Sequence, residues 1–158
     1  MHELEIGYFI EGLKYIQNKF FIDAIEQFKK IIKDFPDSEL VDDAEYNISL
    51  CYYELNQFDS AILNLKKLIR DYPDTTITVL GAGNEFGRTA AKSYLLMINC
   101  YLALGELEKA SEIPSLMEPY NDSYIINEGV RVTYHELAKK TIDYFKKMKI
   151  EKKHLRGI

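Results

Sequence analysis

Residues 52–74 read YYELNQFDSAILNLKKLIRDYPD, and residues 15–37 read YIQNKFFIDAIEQFKKIIKDFPD. When the two stretches are aligned with a shift of 37 residues, they are identical at 10 of 23 positions. Unrelated segments of this length would share about one or two, and self-similarity at a fixed period of this size is typical of solenoid proteins. The repeat therefore predicts a chain built by stacking one structural unit.

The repeated unit has the pattern of two helices. In residues 52–74, Ala61, Leu65 and Leu68 recur at steps of three and four, which places them on one face of a helix. Pro73 ends that helix because proline lacks an amide hydrogen and disfavours helical backbone in the preceding residue. A second apolar stripe lies upstream, with only residues 56–58 between the two for a tight turn. Each unit is thus predicted to be an antiparallel helical hairpin, which must stack on its copies to bury its apolar face.

These positions resemble the tetratricopeptide repeat, a family of helical hairpins with characteristic small, aromatic and proline positions. The first copy carries Tyr8, Gly12, Tyr15, Ala24, Phe28, Ile31 and Pro36. The second carries Glu45, Ser49, Tyr52, Ala61, Leu65, Leu68 and Pro73, with Glu45 in place of the aromatic residue. A looser third copy carries Tyr94, Ile98, Tyr101, Ala110 and Pro114. The run FPDSELVDDA at residues 35–44 further resembles the bacterial branch of the family found in periplasmic, outer-membrane-assembly and cell-division proteins.

The resemblance implies an all-α fold: a right-handed α-solenoid of about three hairpins with a long C-terminal capping helix. At 158 residues, the chain has the length of one domain. We expect hairpins at about residues 3–36, 38–73 and 87–118, an irregular loop at 75–88, and the C-terminal helix at about 123–150. The sequence has no run of about 18 apolar residues and no signal-peptide pattern. It leaves the compartment open between cytoplasm and periplasm.

The charge is divided unevenly along the chain. The net charge is -5, yet residues 139–158 carry eight Lys or Arg and only two acids. An acidic body argues against a general nucleic-acid binder, which would carry a basic face over the fold itself. Basic residues at the end of a helix complement the helix dipole, and this interpretation is favoured over docking to an acidic partner or a membrane surface.

No constellation for catalysis, cofactor binding or metal binding is found. The segment HELAK at residues 135–139 departs from the zinc-protease pattern HExxH at the second histidine. The segment GAGNEFG at residues 81–87 lacks the strand-turn-helix context of a dinucleotide-binding loop. Cys51 and Cys100 each precede a repeat tyrosine and are interpreted as small apolar residues of the core.

The resemblance implies a non-enzymatic scaffold that binds a partner peptide or helix in its concave groove. The first helix of each hairpin lines that groove in the family. The corresponding positions here are Phe9, Leu13, Ile16, Tyr46, Asn47, Leu50, Tyr53, Leu95, Asn99 and Leu102. Because these positions are mostly apolar or aromatic, we expect an apolar or amphipathic partner segment. Relatives that clamp the terminal carboxylate of chaperones present lysines there, so the absence of lysine from these positions predicts poor binding of anionic tails.

Two alternatives stay open at this point. One is a self-associating structural protein, for which a homo-oligomer would be expected. The other is an accessory domain of an enzyme, which would use the glycine-containing loop at residues 81–87, or of an envelope assembly complex.

Overall fold

The protein is described here by a computed structural model covering residues 2–157. Within this range the chain forms seven α-helices, one 3-10 turn and three short strands. The helices are α1 Glu3–Gln17, α2 Phe21–Asp34, α3 Val41–Glu54, α4 Phe58–Asp71, α5 Thr89–Ala103, α6 Leu107–Leu116 and α7 Tyr134–Arg156. The strands are β1 Glu85–Phe86, β2 Tyr124–Asn127 and β3 Val130–Thr133, and the 3-10 turn is Glu118–Tyr120.

Consecutive helices pack in chain order, as expected for a solenoid of hairpins. The helices pair as α1 with α2, α3 with α4 and α5 with α6, and each pair also packs against the next. The last helix, α7, lies against α5 and α6 and covers the end of the stack. Ala24, Ala61 and Ala110 are fully buried, as expected for the position where two helices of a hairpin approach closely. The predicted helical solenoid is thus confirmed.

The turn inside each hairpin uses one residue in the left-handed region of backbone conformation. Lys19 has a φ of 62°, Asn56 a φ of 59° and Gly105 a φ of 77°. Lys19 and Asn56 are 37 residues apart, so the backbone of the turn repeats with the sequence. These turns end the first helix of each hairpin and direct the second helix back along it.

Residue sizes at one helix crossing compensate for each other between repeats. A Cβ atom on Gly12 would lie 2.6 Å from the ring of Phe28, which is fully buried. At the equivalent positions the second hairpin has Ser49 with Leu65, and the third has Ile98 with Pro114. A larger residue on one helix thus accompanies a smaller residue on the other, as close packing of the interior requires.

The C-terminal helix begins later in the chain than the sequence predicted. The expected helix at residues 123–150 begins only at Tyr134 and continues to Arg156. Strands β2 and β3 occupy residues 124–133 and pair in antiparallel register, with Ile125 opposite Val132. Glu128 and Gly129 both have positive φ values, 49° and 79°, which suits the two-residue turn of a β-hairpin. The start of α7 is therefore capped by Thr133, whose side chain accepts a hydrogen bond from the amide of Glu136.

The connection between α4 and α5, residues 72–88, is called the insert below. We predicted an irregular loop over most of it, but its end forms strand β1, which pairs with β2 through Glu85 and Ile125. A bridge between Thr76 and Arg88 closes the base of the insert. Gly87 has a φ of 103°, and a Cβ atom there would lie 2.5 Å from the Cα atom of Ser123. Only glycine allows this close approach between the insert and the segment before β2.

Candidate partner-binding site

Three of the predicted groove residues lie inside the protein. Phe9 is 1% exposed, Asn47 is 7% exposed and Leu102 is 9% exposed. The ring of Phe9 packs edge-on against Phe28 in the core of the first hairpin. The side-chain amide of Asn47 donates to the backbone oxygen of Asp43, one turn earlier. Because a partner could not reach them without unfolding the hairpins, these three residues belong to the core.

The other predicted groove residues are half-buried side chains on the first helix of each hairpin. They are Leu13 and Ile16 on α1, Tyr46, Leu50 and Tyr53 on α3, and Leu95 and Asn99 on α5. Leu13 and Ile16 pack against the core of the first hairpins, whereas Leu50, Tyr53 and Leu95 pack against the larger core of the rest of the solenoid. These five residues therefore each have one side in the core and another accessible to a partner, whereas the ring of Tyr46 is covered by Lys92.

The insert covers the amino-terminal part of this concave face. The backbone amide of Thr78 donates to Oδ2 of Asp43 at 3.0 Å. Asp43 lies one turn before Asn47 and two turns before Leu50, on the same stripe of α3. Leu80, also from the insert, packs against the core of the first hairpins. The predicted groove is therefore divided into a covered half and an uncovered half.

A buried charge cluster, defined as Asp43, Glu85, Lys92 and Tyr134, joins the insert to α3, α5 and α7. The Nζ atom of Lys92 lies 3.7 Å from Oδ1 of Asp43 and 3.7 Å from Oε2 of Glu85. It also lies 4.2 Å from the centroid of the Tyr46 ring, which adds a cation–π contact. The hydroxyl of Tyr134 donates to Oε1 of Glu85 at 2.9 Å. Side chains from the insert, α3, α5 and α7 thus meet in one cluster around the ammonium group of Lys92.

Burial controls the proton affinities in this cluster. Asp43 is fully buried, and the loss of hydration raises its pKa to about 7, although the nearby Lys92 ammonium opposes the change. Burial, together with the Glu85 carboxylate, raises the pKa of the Tyr46 and Tyr134 hydroxyls. Burial also raises the pKa of the Cys51 and Cys100 thiols to about 12, which keeps both cysteines protonated and poorly reactive.

Sequence reasoning missed this cluster, although one signal for it was available. Lys92 lies one turn before Leu95 and therefore belongs to the concave stripe of α5, so a lysine is present on this face after all. It is only 5% exposed and is neutralised by Asp43 and Glu85. The other members, Asp43, Glu85 and Tyr134, could not be paired in advance, because at least 42 residues separate any two of them. Glu85 and Tyr134 also lie in segments that have no counterpart in the repeat.

Asp43, the carboxylate at the centre of this cluster, is closed off from solvent. Asp43, whose pKa near 7 would suit a general base, has no exposed surface through which a substrate could reach it. Within residues 2–157, no group of three His, Cys, Asp or Glu side chains is placed to hold a metal ion. The glycines of residues 81–87 do not form a common cradle, because Gly81 and Gly83 face open space while Gly87 packs against Ser123.

We define the open stripe as the uncovered half-buried residues of the concave face: Leu13, Ile16, Leu50, Tyr53, Leu95 and Asn99. Leu13 and Leu50 occupy equivalent repeat positions, as do Ile16 and Tyr53, so the surface recurs along the solenoid. The ring of Tyr53 is held edge-on against Phe58 at 5.6 Å between centroids. Such an aromatic side chain, fixed on one side and accessible on the other, is a favourable anchor for a partner.

Comparisons with known proteins agree with this architecture. Residues 43–75 match the family model described as tetratricopeptide repeat, a range that includes most of α3 and all of α4. A search of curated protein sequences finds no match. None of the helices in residues 2–157 is long and apolar enough to cross a membrane.

Among solved structures, the chain is similar to the Hsp90 co-chaperone Cns1 from Saccharomyces cerevisiae. The TM-score is 0.67 at 17% sequence identity, and the match covers 99% of this chain and 43% of the Cns1 chain. The chain therefore spans less than half the length of that structure. At this identity the similarity shows a shared fold. The match does not extend the resemblance to the bacterial envelope branch.

Proposed function

We propose that the protein is a non-enzymatic adaptor that holds an apolar or amphipathic segment of a partner protein on the open stripe. The observation that carries this proposal is the recurrence of half-buried apolar side chains at equivalent positions of α1 and α3, continued by Leu95 and Asn99 on α5. Helical repeats use such extended concave surfaces for binding. The match of residues 43–75 to the tetratricopeptide repeat supports a binding module.

The chemistry of the stripe favours an apolar ligand. Its members are aliphatic or aromatic except for Asn99, and the one lysine of the concave face is buried in an ion pair. Among these described residues, an anionic chain terminus would find no free cation. The apolar side of an amphipathic helix could instead place its side chains between Ile16, Leu50 and Tyr53, where burial of apolar surface supplies affinity.

A peptide selection tests this proposal directly. A displayed library of amphipathic helical peptides would be selected on the wild-type protein, and the enriched peptides measured against variants. Leu50→Asp and Tyr53→Ala should each weaken binding by at least about tenfold, since hot-spot residues carry most of the binding energy. Leu155→Asp is the matched control, because Leu155 is 73% exposed near the end of α7 and away from the stripe.

The outcome is interpretable even if one variant is unstable. Circular dichroism would establish that each variant is folded before binding is measured, and Asn99→Lys provides a polar substitution at a third position if Leu50→Asp unfolds. Enriched peptides that bind all folded variants as well as wild type would overturn the proposal. Failure to enrich any peptide from a helical library would do the same.

A further inference from the structure

The opposite side of the solenoid carries a second surface, between α2 and α4. Two adjoining depressions, with volumes of about 720 Å³ and 420 Å³, share Tyr52 and Asn64 and form one continuous groove. Helix α3 supplies the floor through Ile48 and Tyr52. Asn64 is fixed there, because its side-chain amide donates to the backbone oxygen of Glu45 and to the hydroxyl of Ser49.

The walls of this groove are basic, and their charges repeat with the sequence. Lys29 and Lys33 line it from α2, and Lys66, Lys67 and Arg70 line it from α4. Lys29 and Lys66 are equivalent repeat positions, as are Lys33 and Arg70. The third hairpin has no counterpart, because the corresponding positions of α6 and its end carry Ser115 and Pro119. The basic surface is therefore confined to one groove, called the basic groove below.

Part of this charge is not neutralised within the protein. Glu45, the acid on the floor, is paired with Lys67 at 3.2 Å, and Arg70 is paired with Asp71 at 2.8 Å. In the part of the chain that the structure describes, no carboxylate lies within ion-pair distance of Lys29, Lys33 or Lys66. Complementing the helix dipole accounts for bases in the last turn, such as Lys33 and Arg70. It does not account for Lys29 and Lys66, which lie more than one turn from the helix ends.

We infer that the basic groove binds a short acidic segment of a partner protein. Three uncompensated ammonium groups in a chain of net charge -5 give this groove a sign opposite to that of the whole molecule. Helices α2 and α4 each have 14 residues and a length of about 21 Å, so an extended segment of about six residues would lie along them. The apolar contacts offered by Tyr52, Ile32 and the exposed Leu63 favour a segment in which acidic and apolar residues alternate.

The shape of the charge distribution favours a protein segment over an extended polyanion. The basic residues lie between acids at both ends of the two helices: Asp23, Glu26 and Asp59 toward the amino-terminal ends, and Asp34 and Asp71 at the carboxyl-terminal ends. A nucleic acid or an anionic membrane would extend beyond the groove and meet these acids. A short segment can end before reaching them.

The experiment measures binding of a fluorescein-labelled peptide in which glutamate alternates with leucine, by fluorescence anisotropy at low salt. The matched peptide carries glutamine in place of glutamate. The groove variant is Lys29→Glu with Lys66→Glu. The control variant is Lys139→Glu with Lys140→Glu, which changes the net charge equally but on exposed positions of α7.

The acidic peptide is expected to bind wild type and the control variant alike, and the groove variant at least about tenfold more weakly, because charge reversal replaces attraction by repulsion. Its affinity should fall as salt is added, because added salt screens exposed charges.

Equal losses in the two variants would overturn the inference in favour of diffuse attraction. Equal binding of the glutamine peptide would also overturn it, as would tighter binding of a single-stranded oligonucleotide or of phosphatidylserine vesicles. The difference between the groove variant and the control variant does not depend on the open stripe, because neither variant changes a residue of that stripe.

Discussion

The first two hairpins and the third are built from the same unit but are held in different ways. In α2 and α4, the buried positions recur after 37 residues, and the helices of the first two hairpins contact mostly their neighbours in the sequence. The third hairpin, α5–α6, is held in addition by the insert, by the small sheet and by α7. The comparison teaches that a repeat can be closed by segments that do not repeat, and that these segments decide which part of the concave face stays open.

The difference also separates what sequence reasoning could find from what it could not. The helices of the first two hairpins follow from local periodicity. The spacing of Ala61, Leu65 and Leu68, for example, identifies the apolar face of α4 without any knowledge of what packs against it. The strands at residues 124–133 were mistaken for helix because Ile126, Val130 and Thr133 also recur at steps of three and four. The β-branched run and the Glu128-Gly129 turn were the contrary signals.

For the candidate site, the sequence predicted which helices contribute to the concave face but not which of their residues are buried. The resemblance assigned Leu50 and Tyr53 to the concave face, and both are half-buried in the structure, but it could not foresee that Phe9, Asn47 and Leu102 would be buried. Burial depends on neighbours that the local pattern does not specify. The pairing of Lys92 with Asp43 likewise arises only when the insert and α7 return to the concave side.

The largest effect is expected where the insert is attached. Lys92→Met would leave Asp43 and Glu85 without their shared cation, and removing one partner of a buried ion pair costs about 3 to 5 kcal/mol. Lys14→Met is the matched control, since Lys14 forms only a 3.9 Å surface pair with Glu11, of a kind worth about 0 to 1 kcal/mol. Urea denaturation at pH 8 measures both, and equal losses would show that the cluster does not hold the insert.

A second substitution tests the contact between the insert and the sheet. Gly87→Ala must combine a φ of 103° with a Cβ atom 2.5 Å from Ser123. Gly105→Ala is the control, because Gly105 has a φ of 77° but open space around it. Backbone strain alone costs about 1 to 2 kcal/mol, and overpacking adds about 1 to 3 kcal/mol. Thermal unfolding should therefore show a clearly greater loss for Gly87→Ala, and a loss equal to the control would contradict the packing described.

A third pair of substitutions examines the regular hairpins. Gly12→Ala should destabilise the protein by about 1 to 3 kcal/mol, since its Cβ atom would overlap the buried Phe28 ring. Gly7→Ala, on the same helix with nothing within 4 Å, should instead stabilise it by about 0.5 to 1 kcal/mol. Opposite signs in chemical denaturation are the expected result. Equal signs would mean that the crossing of α1 and α2 is looser than described.

The smallest effect expected is a change in pH dependence. A folded pKa of about 7 for Asp43 lies above its ordinary value of 3.8, so the folded state binds this proton more tightly than the unfolded state. The resulting stabilisation is fully present below about pH 4 and is lost as the pH rises through 7. The groups facing Asp43 are Lys92, Glu85, Asp42 and the Thr78 amide, with the Tyr46 and Tyr134 hydroxyls nearby.

Asp43→Asn removes this titration while keeping an oxygen that can accept from Thr78. The difference in melting temperature, wild type minus Asp43→Asn, should decrease as the pH is raised from 5 to 8. The matched substitution is Asp143→Asn on the exposed side of α7, which should leave the difference constant. A wild-type advantage that stays constant between pH 5 and pH 8 would instead mean that Asp43 is ionised throughout this range and held by Lys92.

The central claim is that the insert closes one half of the concave face and leaves the other half to a partner. Maleimide labelling of single introduced cysteines tests it most directly, because Cys51 and Cys100 are buried and poorly reactive. Tyr53→Cys should label rapidly, and a peptide selected on wild type should protect Ile16→Cys from labelling. Tyr46→Cys should label far more slowly than Tyr53→Cys, because position 46 lies against Lys92, which pairs with Glu85 of the insert. Equal rates at positions 53 and 46, or labelling at position 16 that the bound peptide does not slow, would contradict the account.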